Sequence, residues 1–592
     1  MAKKKRTVQK TSIFDLLPYI FIVAVVPLIV FLHVDDLEPI EIANWKGNDF
    51  YPDLLSYCKS LWFKIVSAFG LCLFVFRITQ GRVQLQKRLS LYVPAAVYII
   101  FIILSTITSK YASIALSGFV ARYEGMFVLL FYVLNMLILC NLISEERQIR
   151  ILLNALLVSA CVISLIGLSQ LVGHDFFETD FGKTLILPAK YAESELTFNF
   201  GTMVYGTLSN PNYMGSYVAL VLPIALTAIF MTRRVALRVG AAVLSVLLLV
   251  NLVGSDSDAG LVGLGAGVII AAVYLLRKYL FRYKLIVILS VVLVLAAGGF
   301  LAREAVSRFN AESAQTYYLE DITFNGSSVQ IKSTTEMLNI RYENHTLSFH
   351  DSMNNELNTS VTRGDAGTVI TFGDSTYKNY RLTVTGDILE IRNGGKAFYI
   401  RLHEDDLRLV GLNGDETNRI EKPDAIDVRG YEKVGSARIY IWSRVIPMLK
   451  NTVFVGTGPD TFAIVFPQND YIGKINAYNT PLMLVDKPHN LYLQIAVNTG
   501  ILSLVAFLAV LIVYFITGIK ACFLNQAPER ISQYGAGIFI SICSYLVAGL
   551  FNDSSIAVAP IFWVLLGLGF ACNIMAAREM EKHKMASARS NI

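Results

Sequence analysis

Residues 501–519, ILSLVAFLAVLIVYFITGI, contain no charged side chain. A helix of this length spans the hydrocarbon core of a bilayer, which requires roughly 20 apolar residues. Further apolar runs of similar length lie at about 13–33, 59–78, 90–108, 125–143, 151–172, 213–231, 238–254, 260–276, 284–301, 534–551 and 557–576. We therefore expect a mainly α-helical, polytopic membrane protein with about twelve transmembrane helices.

The composition supports the same class. Of 592 residues, 54% are hydrophobic and 16% are charged, and the mean hydropathy is +0.52. These values exclude an ordinary soluble protein. The polar segment 302–488 contains none of the seven cysteines, so no disulfide framework is expected there. The net charge of +6 comes from short basic loops and indicates no nucleic-acid partner.

Short basic loops predict the orientation in the bilayer. They lie at the N-terminus (MAKKKR), at 82–88, 147–150, 232–238, 277–284 and 520–530, and in the C-terminal tail. Such loops stay in the cytoplasm, so both termini are expected there. The membrane domain then comprises residues 1–301, with spans one to nine, and residues 501–592, with spans ten to twelve and a cytoplasmic tail.

The polar segment between the ninth and tenth spans should lie outside the cell membrane, and its first part is a β-rich insert, 302–431. From about 310 to 430, stretches such as GTVITFG and AFYIRL alternate in polarity and are separated by Gly, Asn and Asp turns. We expect a small sandwich or curled sheet that buries its own core. Its histidines show no ligand spacing, which favours surface positions over a metal site for His345, His350 and His403.

Residues 432–500 are predicted to form an extracellular catalytic loop. SARIYIWSRVIPMLKN indicates an amphipathic helix that carries Arg438 and Arg444, and PHNLYLQIAVNTG follows with His489. Histidine exchanges a proton near neutral pH, so His489 at the membrane boundary is a candidate general base. The alternative is a histidine that caps the next helix or anchors it at the headgroups.

Other external loops carry further candidates. GFVARYEGM places Arg122 and Glu124 before the fourth span, where an isolated arginine commonly snorkels to the interface. TLSNPNYMGS places Asn210 and Asn212 at the start of the sixth span, where they either bind sugar hydroxyls or order the turn. Together these loops put arginines, amides and one histidine on a single external surface.

Three segments resemble the O-antigen ligase and O-antigen polymerase family of bacterial membrane glycosyltransferases. They are SNPNYMGSYVALVLPIAL (209–226), GSARIYIWSRVIPMLKNTVFVGTGPDTF (435–462) and PHNLYLQIAVNTGILSLVAFL (488–508). They occur in that family's order, with a large external loop before the histidine segment. The resemblance covers the membrane portion and excludes the β-rich insert.

The resemblance implies a reaction, its partners and its residues. A glycan would pass from an undecaprenyl diphosphate-linked donor to the hydroxyl of a saccharide, lipid or protein acceptor, on the outer face of the bacterial cytoplasmic membrane and without metal or cofactor. His489 would be the base and Arg438 the loop arginine that holds diphosphate. Arg122 and Arg444 are candidates for a second phosphate contact, because many relatives carry a Ser-Arg-Gly turn where this chain has Ser-Asp-Ala-Gly at 257–260.

The chemistry of these residue types fits that reaction. The planar fork of arginine holds phosphate oxygens in pairs and stays charged as the diphosphate leaves. A neighbouring arginine should also lower the pKa of the histidine and keep the imidazole neutral.

Two other classes compete with a transferase. A transporter or flippase for lipid-linked glycan or polysaccharide would show polar residues at mid-span and paired broken helices, and neither is evident. A sensor or adhesin would leave the histidine and arginines unexplained. Within the enzyme class, ligase, polymerase and protein O-oligosaccharyltransferase all stay open. They differ in the acceptor, and these motifs do not identify the acceptor.

Overall fold

The structure is a computed structural model that describes residues 12–36, 50–191, 193, 200–282, 317–364, 367–404, 406–411, 414–524 and 530–590. The predicted span at 284–301, the predicted domain boundary at 301 and the basic residues 1–11 lie outside the described residues.

The described part of the chain is mainly helical. In chain order its helices are α1 (Leu17–Ala24), α2 (Tyr57–Thr79), α3 (Leu89–Ile107), α4 (Ala112–Ser117), α5 (Met126–Leu142), α6 (Glu146–Leu171), α7 (Asp180–Ile186), α8 (Pro211–Met231), α9 (Val235–Gly254), α10 (Asp258–Arg282), α11 (Arg438–Met448), α12 (Phe462–Val465), α13 (Tyr471–Tyr478), α14 (Leu491–Asn498), α15 (Ile501–Gly518), α16 (Arg530–Ala548) and α17 (Ala559–Ser590).

Nine helices in the described ranges are long and apolar enough to cross a membrane: α2, α3, α6, α8, α9, α10, α15, α16 and α17. Two shorter apolar helical stretches, Ile13–Leu28 and α5, accompany them. The prediction of a multi-pass membrane protein is therefore confirmed. The count of twelve stays a prediction, because one of the predicted spans is not described.

The membrane helices differ in how deeply they are buried. The apolar stretch of α17 is wholly buried and that of α16 nearly so, whereas only about a fifth of the apolar stretches of α2 and α10 is buried (17% and 22%). Helices α16 and α17 therefore form the centre of the bundle. The turn that joins them, at 549–558, is held at one end of that centre.

Helices α8 and α10 touch backbone to backbone. A Cβ on Gly215 would lie 2.2 Å from Ser257 Oγ, and one on Gly260 would lie 2.6 Å from Gly215 Cα. Small residues let membrane helices approach this closely. The contact brings the Asn-Pro-Asn turn that starts α8 against the turn that starts α10.

The insert contains two antiparallel sheets, as the alternating polarity predicts. Four strands form the first sheet in the order β3-β4-β5-β6, and seven form the second in the order β13-β12-β11-β10-β9-β8-β7. A separate hairpin joins β1 (His33–Asp36) to β2 (Phe50–Asp53). The insert strands are β3 (Leu319–Asn325), β4 (Ser328–Ser333), β5 (Met337–Glu343), β6 (Thr346–His350), β7 (Thr359–Gly364), β8 (Gly367–Phe372), β9 (Arg381–Thr385), β10 (Ile388–Asn393), β11 (Lys396–Leu402), β12 (Leu407–Val410) and β13 (Glu416–Thr417).

The core of the insert is completed by a helix of the following loop. Tyr471 and Ile475 of α13 are buried in the same apolar cluster as the strands. Asn476 accepts from the Leu319 N–H at 3.1 Å and donates to the Leu319 carbonyl at 2.8 Å. Lys396 Nζ donates to Asn476 Oδ1 at 2.9 Å. The insert strands supply most of this core, and α13 of the predicted catalytic loop packs into it.

Candidate functional site

His489 lies immediately before α14 but does not cap it. Asn490 is the N-cap, and its Oδ1 accepts from the backbone N–H groups of Tyr492 at 3.0 Å and Leu493 at 2.9 Å. His489 has a φ of +49°, a left-handed conformation that costs a non-glycine residue about 1 kcal/mol or more. The capping interpretation therefore does not account for His489. Its side chain is largely buried, with 25% of its surface exposed.

Asp553, in the turn between α16 and α17, faces the imidazole. Its Oδ2 lies 3.8 Å from His489 Nδ1, and its side chain is 0% exposed. Neither carboxylate oxygen has a hydrogen-bond partner among the described residues. The neighbouring Asn552 anchors this turn by donating to the Asn212 carbonyl and to Ser216 Oγ, both at 2.8 Å. Asp553 is thus held where it can orient the imidazole and stabilise an imidazolium.

The environment keeps His489 neutral. Burial lowers the pKa of His489, and the net shift is downward although the Asp553 carboxylate opposes it. Lys487 and Arg438 also lower this pKa, as nearby positive charges do. The expected effect of a neighbouring arginine is therefore present but secondary to burial. A neutral imidazole at neutral pH can accept a proton.

Arg438 is the first residue of α11 and follows two left-handed residues, Ser436 and Ala437. Its Nη1 donates to the Gly435 carbonyl at 2.9 Å, while its buried Nε has no hydrogen-bond partner within the described chain. Burial lowers its pKa, and the charges of Asp553 and Asp258 partly offset this effect. A largely buried guanidinium with an unused donor is suited to bind phosphate oxygens.

A tryptophan side chain joins α11, which carries Arg438, to the segment that carries His489. Trp442, one turn after Arg438 in α11, donates its Nε1–H to the Pro488 carbonyl at 2.8 Å. Pro488 directly precedes His489. The helix that carries Arg438 therefore packs against the segment that carries His489, and the charge of Arg438 acts on the imidazole.

Arg444 faces away from this pair. Its Nε lies 2.8 Å from Asp470 Oδ2, its Nη1 donates to Ser443 Oγ at 2.8 Å, and its guanidinium lies over the Tyr440 ring. Asp470 also caps α13 through the Gly473 N–H. These contacts describe a structural ion pair that joins α11 to α13.

Arg122 links the 118–124 turn to the loop that carries His489. Its Nε lies 2.7 Å from Asp460 Oδ1, and its Nη1 donates to the Asp486 carbonyl at 2.5 Å. Asp460 also accepts from the Phe119 N–H at 2.6 Å. One donor group of Arg122, Nη2, is buried with no partner in the described chain. Arg122 thus supports the site structurally and keeps one donor available.

The two asparagines order turns. Asn210 caps α8 by accepting from the Asn212 N–H at 2.8 Å. The Asn212 carbonyl receives the Asn552 amide described above, and its Oδ1 lies 3.5 Å from Ser257 Oγ. Asn212 therefore positions the turn that holds Asp553. A role for either side chain in binding sugar stays a prediction.

Sequence reasoning missed Lys487, two residues before His489. Its Nζ lies 3.3 Å from Tyr213 Oη and 3.8 Å from Asp486 Oδ2. Burial opposes its charge, but Asp486 and Tyr213 outweigh burial and raise the pKa of Lys487 above its ordinary value. It therefore supplies a charged side chain two residues before His489.

Glu124 was singled out only as a neighbour of Arg122, and the structure gives it a contact with the Asp553 turn. Its Oε1 accepts from Tyr132 Oη at 2.7 Å and from Ser554 Oγ at 2.9 Å. Its Oε2 is buried without a partner in the described chain. Burial raises the pKa of Glu124 to about 7. Glu124 therefore holds Ser554, the residue next to Asp553, through this hydrogen bond.

The described residues contain no group of three or more His, Cys, Asp and Glu side chains that could hold a metal ion. Two insert histidines make exposed carboxylate contacts, His345 Nε2 with Glu404 at 2.8 Å and His403 Nε2 with Glu416 at 2.9 Å.

Comparison with known proteins agrees with these features. Residues 406–508 match the family model described as O-Antigen ligase. The matched range starts in the last strands of the insert and contains Arg438, Lys487 and His489. No match was found among the curated proteins or among the solved structures. Residues 406–508, which lie in a chain with a bundle of membrane helices, are thus similar to the O-antigen ligase family.

Proposed function

We propose that the protein transfers a glycan from an undecaprenyl diphosphate-linked donor to an acceptor hydroxyl at the outer face of the bacterial cytoplasmic membrane. The observation that carries this proposal is the surroundings of His489. The Asp553 carboxylate, which has no hydrogen-bond partner among the described residues, lies 3.8 Å from it, and Trp442 of the helix that carries Arg438 donates to the carbonyl of the preceding Pro488. A base and a phosphate-binding cation thus share one end of a membrane bundle. The O-Antigen ligase match over 406–508 supports the same reaction class.

His489 acts as the general base in this scheme. Its Nδ1 faces Asp553, so the other ring nitrogen, Nε2, is the one that accepts the acceptor hydroxyl proton. The hydroxyl oxygen attacks the anomeric carbon of the donor and forms the new glycosidic bond. The bond between that carbon and the diphosphate oxygen breaks with its electron pair. Asp553 stabilises the imidazolium that results.

Cations stabilise the leaving group. Negative charge grows on the diphosphate as the bond breaks, and fixed positive groups in a partly dehydrated site stabilise it more than water does. Arg438 offers its Nε and Arg122 its Nη2; both atoms are buried and have no hydrogen-bond partner among the described residues. We assign Lys487 to the role of the arginine that many relatives carry in the Ser-Arg-Gly turn.

The acceptor decides between a ligase, a polymerase and a protein O-oligosaccharyltransferase, and each uses the same base and cations. A transporter or flippase is less well supported, since the charged groups of the site collect at the helix ends and in connecting turns. Arg122, Arg438, Lys487, His489 and Asp553 all lie outside the long membrane helices.

The test is transfer by the purified protein with a synthetic lipid diphosphate glycan and a hydroxyl acceptor. His489→Ala should abolish transfer while leaving the thermal unfolding midpoint nearly unchanged. His345→Ala is the matched control, because it removes an exposed insert histidine and should transfer normally. Near-normal transfer by a folded His489→Ala protein would refute the assignment of the base.

A further inference from the structure

Three membrane helices, α3, α15 and α17, run from the candidate site to a cavity at the other end of the bundle. After α3 ends, Ser109 donates to the Thr457 carbonyl of the catalytic loop at 2.7 Å. Helix α15 follows the His489 segment directly, and α17 follows the Asp553 turn. Helix α3, Leu89–Ile107, rises about 28 Å, close to the thickness of the hydrocarbon core. Its opposite end therefore lies at the headgroup level of the other leaflet.

A cavity lies between these opposite ends. It encloses about 580 Å³ of empty space, part of which is open to the surroundings. Its walls are apolar for the most part and come from all three helices, chiefly Leu91, Val513, Phe570, Ile574 and Ala577. Two cationic side chains, Arg88 and Lys520, also line it. We call it the distal cavity.

The two cations of the distal cavity are not neutralised by the described protein. Arg88 is half-buried and Lys520 exposed, and neither forms an ion pair with a described carboxylate. The other polar residues of the wall, Ser90, Thr517 and Asn573, are uncharged and cannot neutralise the cations. Asn573 Nδ2 donates to Thr517 Oγ1 at 3.1 Å. Two like charges beside an apolar space favour an anion that also carries apolar groups.

We propose that the distal cavity binds an anionic phospholipid from the leaflet opposite to His489. The phosphate lies between Arg88 and Lys520, and an acyl chain covers Leu91, Phe570 and Ile574. Free phosphate would use the charges but leave the apolar wall uncovered. Basic pockets between membrane helices are typical sites for anionic headgroups, and short basic loops flank this end of the bundle. This site is separate from the proposed glycan transfer.

The test measures phospholipid retained by the purified full-length protein, using native mass spectrometry in mixtures of phosphatidylglycerol and phosphatidylcholine. The wild type should prefer phosphatidylglycerol. Each basic residue near a lipid surface contributes about five-fold to such binding, so Arg88→Gln with Lys520→Gln should weaken it about twenty-five-fold. The matched control removes two charges outside the cavity, with Arg82→Gln and Lys87→Gln, and should keep the preference.

Two further arms make the outcome decisive. Ala577→Phe fills the cavity without changing charge and should also reduce retained lipid, whereas inorganic phosphate should not displace it. If the Arg88 and Lys520 variant and the Arg82 and Lys87 control lost equal amounts of retained lipid, the effect would be general attraction to a basic surface. That result would overturn the proposal. Displacement of the lipid by inorganic phosphate alone, or full retention by the Arg88 and Lys520 variant, would overturn it as well.

Discussion

Replacing Asp553 with asparagine should slow glycan transfer without unfolding the protein. The carboxylate lies 3.8 Å from His489 Nδ1, and its side chain is completely buried. At that distance a carboxylate and an imidazolium attract by about 4 kcal/mol for an effective dielectric constant of about 20. Loss of this attraction in the transition state corresponds to a decrease in kcat of roughly 10³-fold. Stability should not fall, because the substitution removes a buried charge that has no partner in the described chain.

The pH dependence distinguishes this role from a structural one. Asp553 raises the pKa of His489, in opposition to burial. Activity is lost as the pH falls through that pKa, because the base becomes protonated. Without the carboxylate the pKa is lower, so the acid limb of the rate profile should move to lower pH. A merely structural residue would lower the rate and leave the limb in place.

The assay is a pH series of transfer rates at saturating donor, with purified protein and a defined lipid diphosphate glycan. Asp256→Asn is the control, since it makes the same substitution at an exposed position in the turn before α10. A loss of less than about tenfold at the Asp553 variant would refute the electrostatic reasoning. An unmoved acid limb would do the same.

Further predictions concern the arginines, Glu124 and the insert. Arg438→Lys should reduce donor turnover more than Arg444→Lys does. Arg444→Lys weakens a structural ion pair and should mainly lower the thermal unfolding midpoint. A larger loss of donor binding in the Arg444 variant than in the Arg438 variant would contradict this ranking. The folded protein holds a proton on Glu124 up to about pH 7, so stability should fall by about 3 kcal/mol as the pH rises from about 4.5 to 7. Glu124→Gln should flatten this fall in thermal unfolding, and an unchanged slope would refute the assignment. Replacing the insert, 317–417, with a short linker should weaken donor binding as well as use of the natural acceptor, because it uncovers Tyr471 and Ile475; intact donor binding would restore the view of the insert as an independent module.

Hydrophobicity along the chain is a local property, and for this reason the sequence alone determined the class of the protein. Runs such as 501–519 need only enough length and no charge to cross a bilayer. Alternating polarity likewise predicted the β structure of the insert, since successive side chains of a strand point to opposite faces. The choice between a sandwich and one curled sheet was open in the sequence. Short motifs also indicated the resemblance that the match over 406–508 supports, and they singled out His489 and Arg438 as candidates.

Contacts between segments far apart in the chain could not be predicted from the sequence. Asp553 is one acid in a polar turn, and only the packing of α14 against the turn after α16 sets it opposite His489. Arg444 and Arg438 share one helix and look alike in the sequence. Asp470 nevertheless pairs with Arg444, while Nε of Arg438 has no hydrogen-bond partner in the described part of the chain. The difference arises because a charge is defined by its neighbours in space, and the tertiary structure alone decides which carboxylates those neighbours are.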